Sequence, residues 1–352
     1  MTSNGKKESI PTCLGIPMKW VSLLLLVAQT VGVVFMMRLS RTSATTGPRY
    51  LNTTAVFFSE VLKMVCSYFF LCFEKGDIGT ATSLVWQTFT GKFLELLKVS
   101  IPGLLYTVQN NLLFISLSNL SGAVYQVTYQ LKILTTAVLS VIILGKALGT
   151  EKWCALFLLT GGVTLIQMPR GDAAATAHHA KGNQFVGLVA VLCACMTSGL
   201  AGVYLEKILK QSDTSIWLRN IQLGLIGAIL GLAGCFMQDG EAIKKDGFLQ
   251  GYNNQVLAVI LLQAVGGLVV AAVLKYADNI LKCFGNALSI VISCLLSASL
   301  LQEFVPDLHF LMGTVLVLSA TSLYSLGLPQ EVVLSFQRMS GNKSKMEDME
   351  AV

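Results

Sequence analysis

The chain has 352 residues, of which 54% are hydrophobic and only 12% charged, about half the usual quarter of a globular protein. That composition excludes both a water-soluble surface and a disordered chain. The net charge of +6 is spread too thinly, with no basic run interleaved with aromatics, for nucleic-acid binding.

Ten apolar windows follow, each of a length that lets a helix cross a hydrocarbon core of ~30 Å. The first, 19–37, holds Leu23-Leu24-Leu25-Leu26, longer than a signal-peptide core. It is followed by Met36-Met37-Arg38 instead of a small-residue cleavage site, so it reads as a retained span. The second, 51–72, carries Glu60 and Lys63 at i, i+3, which either neutralise each other at a helix interface or act as a gate. The third, 95–117, combines Lys98, placed to snorkel, with Tyr106, Gln109, Asn110 and Asn111. Buried amides need partners, and a polar ligand could supply them.

The fourth window, 122–144, centres on Lys132 and contains no acid to neutralise it. An ionisable group at mid-bilayer is a functional candidate by default. Tyr125, Tyr129 and Lys132 lie at i+4 and i+3, so two rings and a cation share a face suited to an anionic ligand with a flat base. The alternative is a Lys paired with an acid on another helix. The fifth window is 150–168, and a loop over 169–183, with His178-His179, divides the chain.

The sixth window, 184–205, runs into Gly199-Leu200-Ala201-Gly202-Val203-Tyr204-Leu205-Glu206-Lys207. In the seventh, 217–237, Gly224, Gly227, Gly231 and Gly234 line one face, a stripe for close helix contact. The eighth, 254–275, joins the ninth, 280–301, through Lys275-Tyr276-Ala277-Asp278-Asn279. Lys275 and Lys282 either snorkel there or converge with Lys132 on a phosphate. The tenth window is 308–327.

Five windows on each side of the loop suggest a duplicated unit, 19–168 and 184–328, and an odd number inverts the second copy in the membrane. With ten spans, the side of the tails, 1–18 and 329–352, holds 15 Lys and Arg against 7 opposite. Both tails are therefore expected in the cytosol and the 169–183 linker in the lumen. The nine cysteines form no C-x-x-C pair and read as small packing residues. Sequons at Asn52, Asn119 and Asn342 lie at the membrane or in the cytosolic tail, so no efficient glycosylation is expected. No metal, cofactor or nucleophile motif appears, which argues against an enzyme. Two other readings stay open: a membrane-embedded glycan-assembly enzyme, and a proton-coupled exporter using Glu60.

The segments Gln109-Asn110-Asn111, the twelve residues Tyr125 to Thr136, Ala201-Gly202-Val203-Tyr204 and the run from Lys275 to Lys282 closely resemble the Golgi nucleotide-sugar transporters, from about Lys19 to Leu328. The resemblance implies ten transmembrane helices in two inverted five-helix repeats of the drug/metabolite transporter fold. It implies a multi-pass Golgi carrier that exchanges a cytosolic UDP-sugar, UDP-N-acetylglucosamine or else UDP-galactose, for luminal UMP. Its partners would be those nucleotides and Golgi membrane lipids, with no cofactor and no nucleic acid. Homo-oligomers, or hetero-oligomers with other carriers of the family, are compatible with it. Carried over by position, Lys132 and Lys275 contact the phosphates, Tyr106, Asn110, Tyr125 and Asn220 frame the nucleotide, and Thr136 lines the cavity. One departure bears on the sugar: relatives show K-G-F-A-T-S-L-S-I where this chain has Lys282-Cys283-Phe284-Gly285-Asn286-Ala287-Leu288-Ser289-Ile290.

Overall fold

A computed structural model describes residues 15–42, 49–91, 93–168, 183–211, 214–301 and 306–327, with Thr12 and Cys13 ahead of them. Most of the expected N-terminal tail, all of 329–352, nearly all of the linker, His178, His179 and Asn342 lie outside the described residues. The described chain is helical apart from a two-residue pairing of β1 (Thr12–Cys13) with β2 (Ile16–Pro17). The helices are α1 (Met18–Thr42), α2 (Asn52–Lys75), α3 (Ile78–Gly91), α4 (Phe93–Asn119), α5 (Gly122–Tyr129), α6 (Lys132–Leu144) and α7 (Thr150–Gln167). Beyond the linker come α8 (Gln184–Gln211), α9 (Ile216–Asp246), α10 (Asn254–Tyr276), α11 (Asn279–Leu296) and α12 (Leu308–Leu326).

Each of the ten apolar windows falls on this helical frame. Among the described residues, eight stretches are long and apolar enough to cross a membrane; α5 and α6 count together as one. The two windows that miss this mark are α4 and α7. Their apolar runs are diluted, in α4 by Glu95, Lys98 and three amides and in α7 by Glu151 and Lys152. The frame thus shows a polytopic membrane protein.

Short polar residues start the helices where the sequence leaves the lipid-like runs. Asn253, Asp278 and Asp307 accept the N–H groups of Val256, Leu281 and Phe310 at 2.9, 2.7 and 2.9 Å. Glycines in the left-handed conformation, Gly76 and Gly145, end α2 and α6. Helix α3 has no counterpart among the apolar windows. Asp77 caps it through the Thr80 N–H at 2.6 Å, and that bond holds the Asp77 carboxyl below the usual range. Its inner side packs Leu84, Val85 and Phe89 on Leu71 and Leu218.

The fourth window is not one rod. Between α5 and α6 the N–H groups of Gln130, Leu131 and Ile133 bond carbonyls three residues back, tightening the turn. The ninth window ends in a wide turn over Ser297–Leu301, and α9 kinks at Asp239.

Large apolar side chains such as Leu24, Phe73, Phe157, Phe185 and Leu326 point outward, as they do where lipid is the solvent. The interior holds an apolar cluster of α6, α7, α11 and α12 around Leu156, Phe284 and Phe310. The dominant neighbours pair one side of the linker with the other: α2 with α9, α4 with α8, α7 with α12 and α1 with α10. Further contacts join α6 to α8, α1 to α11, α2 to α10 and α4 to α9. At the α7–α12 crossing Gly162 and Gly313 face each other. A Cβ built on either would come within 2.9 or 2.7 Å of the other's carbonyl oxygen.

Candidate functional site: an amide-lined cavity

A cavity of about 1190 Å³ lies between α1, α2, α4, α9, α10 and α11. Asn52 and Thr53 at the start of α2, with Gln238 and Asp239 far along α9, ring one end, where Thr53 donates to Asp239 at 2.5 Å. Leu205 of α8, Asn220 near the start of α9 and Lys282 in the first turns of α11 line the other end. Because α9 runs the full length, the two ends of the cavity lie toward opposite ends of the helix frame.

Seven polar residues singled out from sequence meet on this wall: Glu60, Lys63, Tyr106, Asn110, Asn111, Asn220 and Lys282. Glu60 and Lys63 form their i, i+3 ion pair inside α2. The glycine stripe of α9 explains how the pair fits. Gly224 packs on Met64, Gly231 on Phe57, and Gly227 receives the Glu60 carboxylate, which any Cβ there would meet. Across the cavity, Gly267 of α10 likewise makes room for the Lys63 stem. The stripe is therefore helix packing with a charge set into it. Asn220 is buried and donates to the Ile216 carbonyl at 3.0 Å, which leaves its side-chain oxygen for a ligand.

Lys132, Tyr125, Thr136 and Lys275 do not line the cavity. Lys132 starts α6 just past the break, with Nζ 4.2 Å from the centre of the Tyr129 ring. Tyr125 stacks on Tyr129 with centroids 5.7 Å apart and planes 9° off parallel, so these three side chains do form one group. Gln109 of α4 donates to the Tyr129 hydroxyl at 2.9 Å, tying that group to the helix that carries Tyr106 and Asn110. Thr136 is buried at the α6–α8 contact, where its backbone N sits 3.2 Å from a Cβ placed on Gly199. Lys275 lies at the end of α10, 6.0 Å from the ring of its neighbour Tyr276.

Lys282 is the wall residue that the sequence reading left undecided. It is an electrostatic neighbour of Lys132, and among the described residues neither lysine forms an ion pair. The readable signal was local. Lys282, Asn286 and Ser289 follow i, i+4, i+7, a polar stripe on an otherwise apolar helix, and Asn286 also lines the cavity. A lysine on a cavity wall with no ion pair among the described residues is a site for an anion. The amides and Tyr106 on the adjoining wall offer hydrogen bonds and a ring for a planar, polar group.

The family model described as nucleotide-sugar transporter matches residues 15–325. The UDP-N-acetylglucosamine transporter of Homo sapiens is 51% identical over 308 residues, covering 87% of this chain and 95% of its own. The UDP-galactose translocator of Bos taurus is 44% identical over 310 residues, covering 88% of this chain and 78% of its own. One solved crystal structure superposes with a TM-score of 0.61 over 88% of this chain and 95% of that one, at 15% identity, a likeness of fold alone.

Proposed function

The chain belongs to the nucleotide-sugar transporter family, a family of carriers and not of enzymes, and from that membership we propose that it carries UDP-N-acetylglucosamine from the cytosol into the Golgi lumen in exchange for UMP. The observation that carries the reading is Lys282 on the wall of a cavity that also presents Tyr106, Asn110 and Asn220. Lys282, with Lys132 behind it, binds the phosphates; Tyr106, Asn110 and Asn220 hold the uridine. Tyr125 backs Tyr129 and so fixes Lys132. Thr136 seats α6 on α8, and Lys275 meets the phosphates as they enter from the cytosol.

Exchange follows from the charges. Two neighbouring lysines without counter-ions are costly to occlude, and a nucleotide phosphate neutralises them, so the loaded carrier crosses and the empty one does not. Ten spans in two inverted repeats, 19–168 and 184–328, with both tails cytosolic and residues 169–183 luminal, are part of the proposal. The pairing of helices supports it. With the ten windows numbered in order and α5 with α6 as the fourth, adding five turns the α4–α8 contact into α10–α1. The same shift turns α6–α8 into α11–α1 and α2–α10 into α9–α4. The α2–α9 and α7–α12 pairs map onto themselves.

UDP-galactose is the second reading, supported by the 44% identity to a UDP-galactose translocator over most of the chain. Purified protein in liposomes preloaded with UMP decides between them. Uptake of UDP-N-acetylglucosamine above UDP-galactose, GDP- and CMP-sugars is expected, and none without UMP inside. Uptake independent of internal UMP would sink the exchange, and sugar transferred in detergent would replace the carrier by an enzyme.

A further inference from the structure

The end of the sixth window, Gly199 to Lys207, and the run from Lys275 to Lys282 touch the cavity only at Leu205 and Lys282, yet they meet each other beside that end of it. Glu206, the residue after Leu205 on α8, is fully buried. One of its carboxylate oxygens pairs with Lys146, in the α6–α7 connection, and with Lys210, one turn on, both at 2.8 Å. The other accepts the backbone N–H of Asn279, the first residue of α11, at 2.9 Å. Lys210 also donates to the Ala277 carbonyl at 2.6 Å, and Lys146 reaches Asp278, the cap of α11, at 3.5 Å. Gly202, one turn before Glu206, leaves the space that the Asn279 side chain fills.

Three chain connections, after α6, α8 and α10, are thus knotted around one buried carboxylate, at the end opposite the Asn52–Asp239 mouth. A buried carboxylate without its cations is strongly unfavourable, so this knot is either fully made or fully opened to water. It also holds the first turn of α11, and Lys282 stands in the next. We infer that Glu206 is a positioning residue for transport. With Lys146, Lys210 and Asp278 it latches the cavity shut on the side away from the mouth and sets Lys282 in place, and the latch parts once per cycle to let the nucleotide pass that end.

The inference rests on the transport reading, and a cross-link separates the two. In a full-length background with Cys154 and Cys193 replaced by serine, K146C/D278C is bridged by a short bifunctional thiosulfonate and assayed for UMP–UMP exchange in liposomes. Reduced but measurable exchange before bridging, since Glu206 keeps Lys210 and the Asn279 N–H, its loss on bridging and its return with reductant are expected. UMP should still protect the bridged carrier against heat, since the mouth stays open. Equal exchange in bridged and free carrier, or failure of the pair to bridge, would overturn the latch. A wild-type carrier that does not exchange UMP would instead overturn the transport reading. E206Q supplies the second measurement: labelling of V270C, on the cavity wall, by an impermeant maleimide added on the latch side should rise severalfold. Unchanged labelling in a folded E206Q carrier would reduce Glu206 to a structural cap.

Discussion

The carboxylate of Glu60 lies against Gly227 of α9, in space that no other residue type would leave free. The contact sets the charge of α2 into one of the most extensive helix pairs among the described residues, so backbone packing and ion-pair geometry depend on each other. G227A should therefore push Glu60 off its place and cost about 1–3 kcal/mol of stability, the usual range for overpacking. G234A, about two turns further along the same stripe with nothing within 4 Å, should leave melting unchanged. Thermal melting of the two variants in detergent compares them directly.

The α7–α12 crossing gives a harsher case. At Gly162 and Gly313 the obstruction is backbone carbonyl, which cannot swing aside as a side chain can. G162A and G313A should each lower the yield of folded carrier more than G227A does, as read by size-exclusion chromatography of fluorescent fusions.

The lysines should separate by position. Losing a charge-assisted bond to phosphate costs about 1.5–3 kcal/mol, so K282A should weaken UMP binding about 10- to 100-fold. K132A should do the same through the Tyr129 group, while K275A, off the wall, should slow uptake with less effect on binding. Heat protection by UMP, set beside uptake rates, distinguishes these outcomes; full binding by K282A would remove Lys282 from the site.

Neither described sequon should be glycosylated. Asn119 donates to the Ile115 carbonyl at 2.8 Å and accepts the Asn183 N–H at 2.9 Å, so both side-chain atoms are engaged at the end of a helix. Asn52 is the first residue of α2 and lines the cavity mouth. A glycosidase-sensitive shift in mobility after expression in cells would mean that these helix ends are exposed on long, open loops.

Much of this arrangement was legible in the sequence, for identifiable reasons. Apolar windows report lipid exposure residue by residue, so helices such as α2 and α10 announce themselves. Helix α3 does not, because its single apolar side of Leu84, Val85 and Phe89 is alternated with threonine and glycine and yields no long run. The break before Lys132 carries neither Pro nor Gly, and only the three-residue spacing of its hydrogen bonds reveals it. Spacing within one helix correctly grouped Tyr125, Tyr129 and Lys132. It could not tell which of Lys275 and Lys282 faces the cavity, since that depends on how α11 is rotated against α1, nor bring Lys146 beside Glu206, sixty residues away.

Nearly every major helix contact links a residue made early to one made late: α1 waits for α10, α2 for α9, α4 for α8 and α7 for α12. During synthesis the helices ahead of the linker therefore enter the bilayer with their principal partners still unwritten, and Glu60, Lys63 and Lys132 must be tolerated by lipid or by a membrane chaperone until then. The maturing carrier is most vulnerable to quality control in that interval. The same logic makes the chain divisible. Residues 1–175 and 176–352 expressed as separate polypeptides should each be degraded alone and should rescue one another when made together.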